Sequence, residues 1–454
     1  MSPEDAATSC PVRDPTGDAR FARACHDDRV ALEITAARPD PALLDLPWST
    51  PLQEWPSAHL AALPRGISRH VVRFVKFSGK VIAVKEIKAD IAVREYNMLR
   101  LLTKIRQPCV QPLGVVNGRT TADGEELDAC LLTRHLQFAL PYRALFSQSL
   151  RPDTAQRLID ALAVLLVRLH LAGFWWGDVS LSNTLFRRDA GAYAAYLVDA
   201  ETGEIHTTLS DGQREHDLDI ARVNIAGELM DLAAAGFLAD AADPIEVSES
   251  IVDRYRSLWR ELTERERFEQ GDRWRVDERI RRLNELGFDV DELAISTDLD
   301  GATIQIQPKV VDAGHHARRL LRLTGLDVEE NQARRLLNDL DAYRASQDRQ
   351  NDDEDLVAHD WLFRIYEPIT RTVPRDLTRK LEPAEVFHEV LEHRWYMSER
   401  AGHDTSIEDA IADYILRVLP GKPDEAAVLG VDTVAMPVVA MFPERKSADR
   451  QDLV

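Results

Sequence analysis

Two side chains held five residues apart in a polar loop constrain this chain more than any other feature. Asp178 and Asn183 lie in GDVSLSN, between the apolar helical pattern Asp153 to Ala172 and a short apolar run that begins at Thr184. The helical pattern has Asp153 or Thr154 to cap its start and Gly173 to end it. The chain therefore leaves a buried helix, crosses a polar loop and re-enters apolar surroundings, which sets a carboxylate and a carboxamide at the rim of a core. The plain alternative is a capped turn, because Asp, Ser and Asn side chains also bond their own backbone in turns.

Upstream of this loop the pattern is that of strands. RHVVRFVKFSGKVIAVKEI, Arg69 to Ile87, reads as two β-rich runs joined at Ser78-Gly79, a hairpin signal. A helix follows, and Val110 to Val116 and Asp128 to Leu136 read as two further strands. Val30 to Pro56 contains a short strand pattern, VALEITA, and then Ser49-Thr50-Pro51, which suits a helix start with Pro in the first turn. Downstream the period becomes helical over 213–235, 248–265, 273–287, 328–345 and 384–400, with a hairpin expected near 293–311. SQDRQNDDED, Ser346 to Asp355, is the best linker or exposed loop of the second half.

Composition narrows the function classes. At 454 residues the chain exceeds what a single core usually organises, and 44% hydrophobic with 29% charged residues is ordinary for a globular protein. A net charge of -21 opposes non-specific attraction to nucleic-acid phosphates or anionic lipid, and no basic patch offsets it. Cys10, Cys25, Cys109 and Cys130 form no CxxC pair, so neither a disulfide framework nor a zinc cluster is expected. The acidic N-terminus lacks the pattern of a secretory signal, and the most apolar stretch, Ala161 to Trp176, contains Arg168 and His170. We expect no export, no membrane span and a cytoplasmic location.

Three further residues share the chemistry of the Asp178 loop. Lys85 follows the apolar run Val81 to Val84, where a lone cation facing a core is costly unless an anion meets it. Ten residues on, Glu95 shares a helical stripe with Ile91, Met98, Leu99 and Leu102, so this acid also needs a partner. A solvated Lys and Glu on two surfaces is the bland reading of the pair. Asp199 ends the short apolar run AAYLVD and precedes Ala200, Glu201 and Gly203. Phosphoryl transfer needs a cation for the phosphates, carboxylates for magnesium and a carboxylate beside the attacking hydroxyl. The order Lys85, Glu95, Asp178, Asn183, Asp199 supplies each in turn.

From about Gly66 to Asp199 the chain resembles the protein-kinase-like superfamily. LHLAGFWWGDVSLSNTLF with LVDAE is more similar to its lipopolysaccharide-core (Kdo/heptose) kinase branch than to typical protein kinases, and the second half is similar to a bacterial family in which such a domain precedes an uncharacterised helical domain. The resemblance implies an α+β, two-lobed kinase-like fold followed by a mainly helical C-terminal domain, with ATP and Mg as cofactors. It implies Asp178 as catalytic aspartate, Lys85 and Glu95 as its supporting ion pair, Asn183 and Asp199 as metal ligands, and Gly66, Lys85, Thr133 and His135 around the nucleotide. Three departures stand out. The Gly-rich loop is reduced to Gly66, Trp176 stands where the family has a histidine, and Ala200-Glu201 replaces Phe-Gly. No A-P-E-like segment follows, which favours a sugar, lipid or other small acceptor over a peptide.

The expected division is a tail at 1–28, a kinase-like domain at 29–235 with lobes meeting near 136, a helical region at 236–420 and a tail at 421–454. Other signals are weaker. SxDxDG at Ser296 to Gly301 departs from a calcium loop at its first and twelfth positions, Ser296 and Gln307, so a turn is expected. HEVLEH places His388 and His393 five apart, off the single helical face a zinc site needs. The arginines of 318–335 are interleaved with acids, so helix packing is expected there and no nucleic-acid partner. A kinase acting on a small-molecule or glycan acceptor is the first reading. A pseudokinase or nucleotide-sensing regulator, with a protein partner for the helical region, is the second.

Overall fold

A computed structural model describes residues 32–37, 40–61, 70–147, 154–236, 243–269, 274–297 and 303–426. Gly66, the tail expected at 1–28 and residues 427–454 of the tail expected at 421–454 lie outside the described residues, as do Cys10 and Cys25; residues 421–426 are described, and Glu425 among them is buried against Arg188. The first lobe is a five-stranded antiparallel sheet in the order β1-β4-β5-β3-β2. Its strands are β1 (Glu33–Ala36), β2 (Val71–Phe77), β3 (Lys80–Ile87), β4 (Pro112–Asn117) and β5 (Ala129–Arg134), with helix α1 (Ala89–Lys104) between β3 and β4. The β2–β3 hairpin turns at the two residues expected, Ser78 at φ 45° and Gly79 at φ 74°, the left-handed pair that matches strand twist.

Both faces of this sheet are covered, which is why its strands read as continuous apolar runs rather than as an alternation. Leu131, Val115 and Ile87 turn toward α1, while Ile82, Val84, Leu132 and Val116 turn toward the preceding segment. That segment folds as two short 3-10 turns, Pro41–Asp45 and Leu52–Glu54, and closes the back of the sheet with Trp48 and Trp55, edge to face at 5.2 Å. The helix start expected at Ser49 to Pro51 is thus a single turn beginning at Leu52.

The second lobe follows β6 (Ala139–Pro141) and α2 (Tyr142–Ser147). It is centred on α3 (Thr154–Leu171), which Gly173 ends at φ 79° as anticipated. Its small sheets are β6-β8-β9, with β8 (Thr184–Asp189) and β9 (Ala192–Leu197), and β10-β7, with β7 (Phe174–Trp175) and β10 (Glu204–Ile205). Helices α4 (Asp211–Ala234) and α5 (Pro244–Thr263) complete the layer; a full capping box at Ser210 and Gln213 starts α4. One continuous apolar core runs from Ile87 through these helices to Leu283 and Phe288.

Beyond α5 come β11 (Glu266–Glu269), α6 (Trp274–Glu285), β12 (Phe288–Thr297) and β13 (Thr303–Ala313) in a three-stranded sheet. The hairpin expected near 293–311 is this β12–β13 pair; part of the SxDxDG turn falls outside the described residues. Helices α7 (His315–Thr324), α8 (Glu330–Ser346), α9 (Glu354–Trp361), α10 (Glu367–Arg371), α11 (Pro383–Ala401) and α12 (Ile407–Asp413) enclose a separate core built around Trp361, Tyr366 and Phe387. The polar stretch after Ser346 is the α8–α9 connection, and Asp353 caps α9. Arg319 and Arg322 reach Glu354 on α9, so these arginines are spent on helix packing. His393 pairs with Asp413 at 2.9 Å and Glu389 accepts from Tyr414 and Lys422, which gives HEVLEH a packing role. No helix among the described residues is long and apolar enough to cross a membrane.

Candidate active site

The period of β3 decides where Lys85 points. Val84 and Glu86 face the back layer, so Lys85 between them faces forward into the cleft between the lobes. α1 begins two residues after β3 and turns Glu95 into the same space; this carboxylate is 1% exposed. Lys85 Nζ donates to Glu95 at 3.1 Å, to Asp199 at 2.8 Å and to Glu201 at 3.2 Å. The expected strand-to-helix ion pair exists, and Asp199 reaches it from 114 positions along the chain.

One ammonium therefore serves three carboxylates. Burial alone would favour a neutral amine, but the three acids outweigh it and hold the Lys85 pKa above its ordinary value. Glu95 shows the excess from the other side: burial, then the neighbouring charge of Asp199, push it up to about 7 against the pull of Lys85. The oxygens of Glu95, Asp199 and Glu201 all lie within 4.8 Å of one another. Among the described residues this is the group with the donors and spacing to hold a metal ion, and an all-oxygen set suits a hard divalent cation.

Across the cleft the Asp178 loop is tied down by α3 and α4. Asn183 Nδ2 donates to the Asp178 carboxylate at 2.9 Å and to its carbonyl at 3.0 Å. Asn224 of α4 donates to the other carboxylate oxygen at 3.4 Å and to the Val179 carbonyl at 3.1 Å. Asp217, fully buried on α4, accepts from the backbone N–H groups of Trp176 and Gly177 at 2.8 and 2.7 Å. His170 Nε2 lies 3.1 Å from Asp217 and its Nδ1 2.8 Å from the Tyr255 hydroxyl, both within hydrogen-bond reach, and burial lowers its pKa. Glu228 takes the N–H groups of Leu181 and Ser182 at 2.8 and 2.9 Å. Trp176 is buried and its indole donates to the Asp199 carbonyl, so the residue in the histidine's place joins the two halves of the site by packing.

The cleft so formed encloses about 920 Å³ and is lined by Lys85, Asp178, Asn183 and Asp199 together with Thr133 and His135. Burial pushes the His135 imidazole down to about 4, and its ring meets Phe74 edge to face at 5.5 Å, so it offers a neutral, partly apolar wall at the end of β5.

Two segments of the chain match known families. Residues 79–226 match the lipopolysaccharide kinase (Kdo/WaaP) family. Residues 257–419 match a domain of unknown function, DUF4032. One segment is thus similar to a kinase family and the other, in the mainly helical region, to an uncharacterised domain, as the resemblance implied. A solved structure, WaaP in complex with acyl carrier protein, is similar at 13% identity over 50% of this chain and 99% of that one, with a TM-score of 0.30. No curated protein matches the chain.

Four residues of this candidate site escaped the sequence reading: Glu201, Asp217, Asn224 and Glu228. The last three recur at intervals of seven and four along α4, one helical face that also holds Ala221. Polar groups on one helix face beside buried Leu218 and Ile225 were a legible signal. That the face meets the Asp178 loop is a tertiary fact.

Proposed function

We propose that this protein is an ATP- and Mg-dependent phosphotransferase that acts in the cytoplasm on a hydroxyl of a sugar, lipid or small-molecule acceptor. The observation that carries the reading is the convergence, in one cleft, of a lysine tied to Glu95 and Asp199 with an aspartate held by Asn183 and Asn224. In this reading the kinase-like domain, 29–235, and the helical region, 236–420, are the two working units of the chain.

Each residue has a task set by its surroundings. Lys85 carries a permanent charge and meets phosphate oxygens; Glu95 keeps it aimed. Asp178, fixed at both oxygens, accepts the hydrogen bond of the attacking hydroxyl and orients it. Asn183 and Asp199, with Glu201 beside them, are the residues to hold magnesium, which when bound offsets the charge of the phosphates. Thr133 and His135 border the base of the nucleotide. The carboxylate excess around Lys85 fits this assignment, because a divalent cation relieves a repulsion that the free protein carries.

Incubating labelled ATP with whole-cell extract and the wild-type protein should yield a labelled product that Asp178→Ala fails to make. Equal labelling by the two proteins would remove the reading. One observation favours a second reading: Glu201 occupies part of the Lys85 ammonium that a phosphate would use. A nucleotide-sensing regulator would bind Mg-ATP in calorimetry and release no product on long incubation.

A further inference from the structure

The two residues assigned to magnesium, Asn183 and Asp199, are the two ends of one hairpin. Asn183 immediately precedes β8, Asp199 follows β9 by two residues, and the strands run in unbroken register from Thr184 opposite Leu197 to Asp189 opposite Ala192. The Val198 N–H closes the ladder on the Asn183 carbonyl at 3.0 Å. The spacing of the two ligands is therefore set by how the hairpin is held.

Its far end is held by the helical half. Asp189, 3% exposed, accepts from the Gln332 N–H at 2.7 Å and from the Asn331 backbone and side chain at 3.2 and 2.9 Å, so it caps the first turn of α8 from another part of the chain. The Ala190 N–H at the hairpin turn donates to Glu385 of α11 at 2.9 Å. Gln332 bridges back to the Arg188 carbonyl and to Glu385, both at 3.1 Å. Arg187 meets Glu329 at 2.7 Å and Glu382 at 2.6 Å, Arg188 meets Glu425 at 2.6 Å, and Tyr196 of β9 donates to Glu329 at 2.6 Å. Both strands are gripped, by groups spread from position 329 to position 425. A surface hairpin in need only of solubility would not require buried charges at its tip.

We propose that the DUF4032-like half works in cis as the positioning element of the kinase-like site, fixing the separation of Asn183 and Asp199 by clamping the β8–β9 hairpin through Asp189, Arg187 and Arg188. The inference rests on the function proposed above for those two ligands. Asp189 is a positioning residue: it lies at the opposite end of the ladder from the cleft and acts only through the strands.

The test uses the full-length chain with Asp189→Ala and, as a milder variant, Glu425→Gln, which keeps the shape of the Arg188 contact and removes its charge. Two readouts are needed. The first is hydrogen exchange of peptides covering 178–201 in the nucleotide-free protein, with 85–104 as internal control. The expected result is faster exchange of 178–201, at least about tenfold at Thr184 and Val198 in Asp189→Ala, with the control unchanged. The second is ATP affinity with and without magnesium. Wild type should gain from magnesium and the variants should lose at least about tenfold of that gain while keeping magnesium-free binding. Unchanged exchange and unchanged magnesium dependence in both variants overturn the proposal. Should Asp189→Ala fail to fold, Glu425→Gln decides by the same criteria. If wild type shows no magnesium-dependent binding, the assigned function falls, while the exchange result still decides whether the clamp controls the hairpin.

Discussion

Lys85 and Glu86 are neighbours on β3, yet they serve two opposite kinds of buried charge. On the back face Glu86 meets Arg119, whose side chain is wholly buried and each of whose three guanidinium nitrogens has an acceptor. Arg119 reaches Glu86 at 2.6 Å, the carbonyls of Trp48, Thr50 and Asp128 at 3.0, 2.7 and 2.7 Å, and Cys130 Sγ at 3.0 Å. On the front face Lys85 meets three carboxylates beside an open cleft. One cation is matched to one acid and a set of neutral acceptors; the other is outnumbered. The matched arrangement fastens the N-terminal layer to the sheet. The outnumbered one carries a repulsion that proton uptake by Glu95 or the approach of a cation would relieve.

Substitutions should separate the two faces. Lys85→Met and Asp199→Ala should each lower phosphotransfer by about a hundredfold to a thousandfold, since removing a group that acts on the transition-state charge costs on the order of 3–4 kcal/mol. Circular dichroism should stay native. A native-like rate in either variant would break the contrast at its front face.

Arg119→Ala should do the reverse. It strands Glu86 and three carbonyls inside the back layer, and removing one partner of a buried pair costs about 3–5 kcal/mol of stability. Denaturant unfolding should show that loss, while the molecules that remain folded keep their nucleotide affinity. An Arg119→Ala protein of unchanged stability would show that the back face is not the fastener described.

The front face also predicts a pH dependence whose sign follows from Glu95. Its folded pKa is raised to about 7 from an ordinary value of 4.5, so between those values the folded protein holds a proton that the unfolded chain releases. Stability from this group is complete below pH 4.5 and is lost as pH rises toward 7. The loss is on the order of 3 kcal/mol, because each tenfold change in proton affinity is worth about 1.4 kcal/mol. Glu95→Gln should flatten that slope, and Asp199→Asn should reduce it by removing a neighbouring charge that raises Glu95. Parallel stability profiles for wild type and Glu95→Gln from pH 4.5 to 7 would contradict the outnumbered-cation picture. The smallest effect belongs to the exposed pairs of the helical half: Arg322→Ala should change stability by no more than about 0.5 kcal/mol, as a solvent-screened ion pair does.

The candidate site was legible in the sequence where chemistry is local. Asp178 with Asn183 share a loop, Lys85 with Glu95 share a strand-to-helix step, and apolar runs announced the elements on which they sit. The helices of the second lobe were equally legible, because α3 and α4 carry long unbroken periods and clear end signals. The 3-10 turns of the back layer were less so, since three to five residues hold too little period to distinguish a turn from a helix start.

What the sequence determined by itself was the set of elements and the order of the polar groups along them, because period, capping and turn residues act over a few neighbours. The tertiary structure decided which charges meet. Glu201 on Lys85, Asp217 and Glu228 on the amides of the Asp178 loop, and Asp189 on the first turn of α8 are pairings between residues from 40 to more than 140 positions apart. No local rule selects among 56 basic and 77 acidic side chains. The selection comes from packing: once the apolar faces close, only particular polar groups are left within hydrogen-bond reach, and burial makes an unmet one too costly to keep.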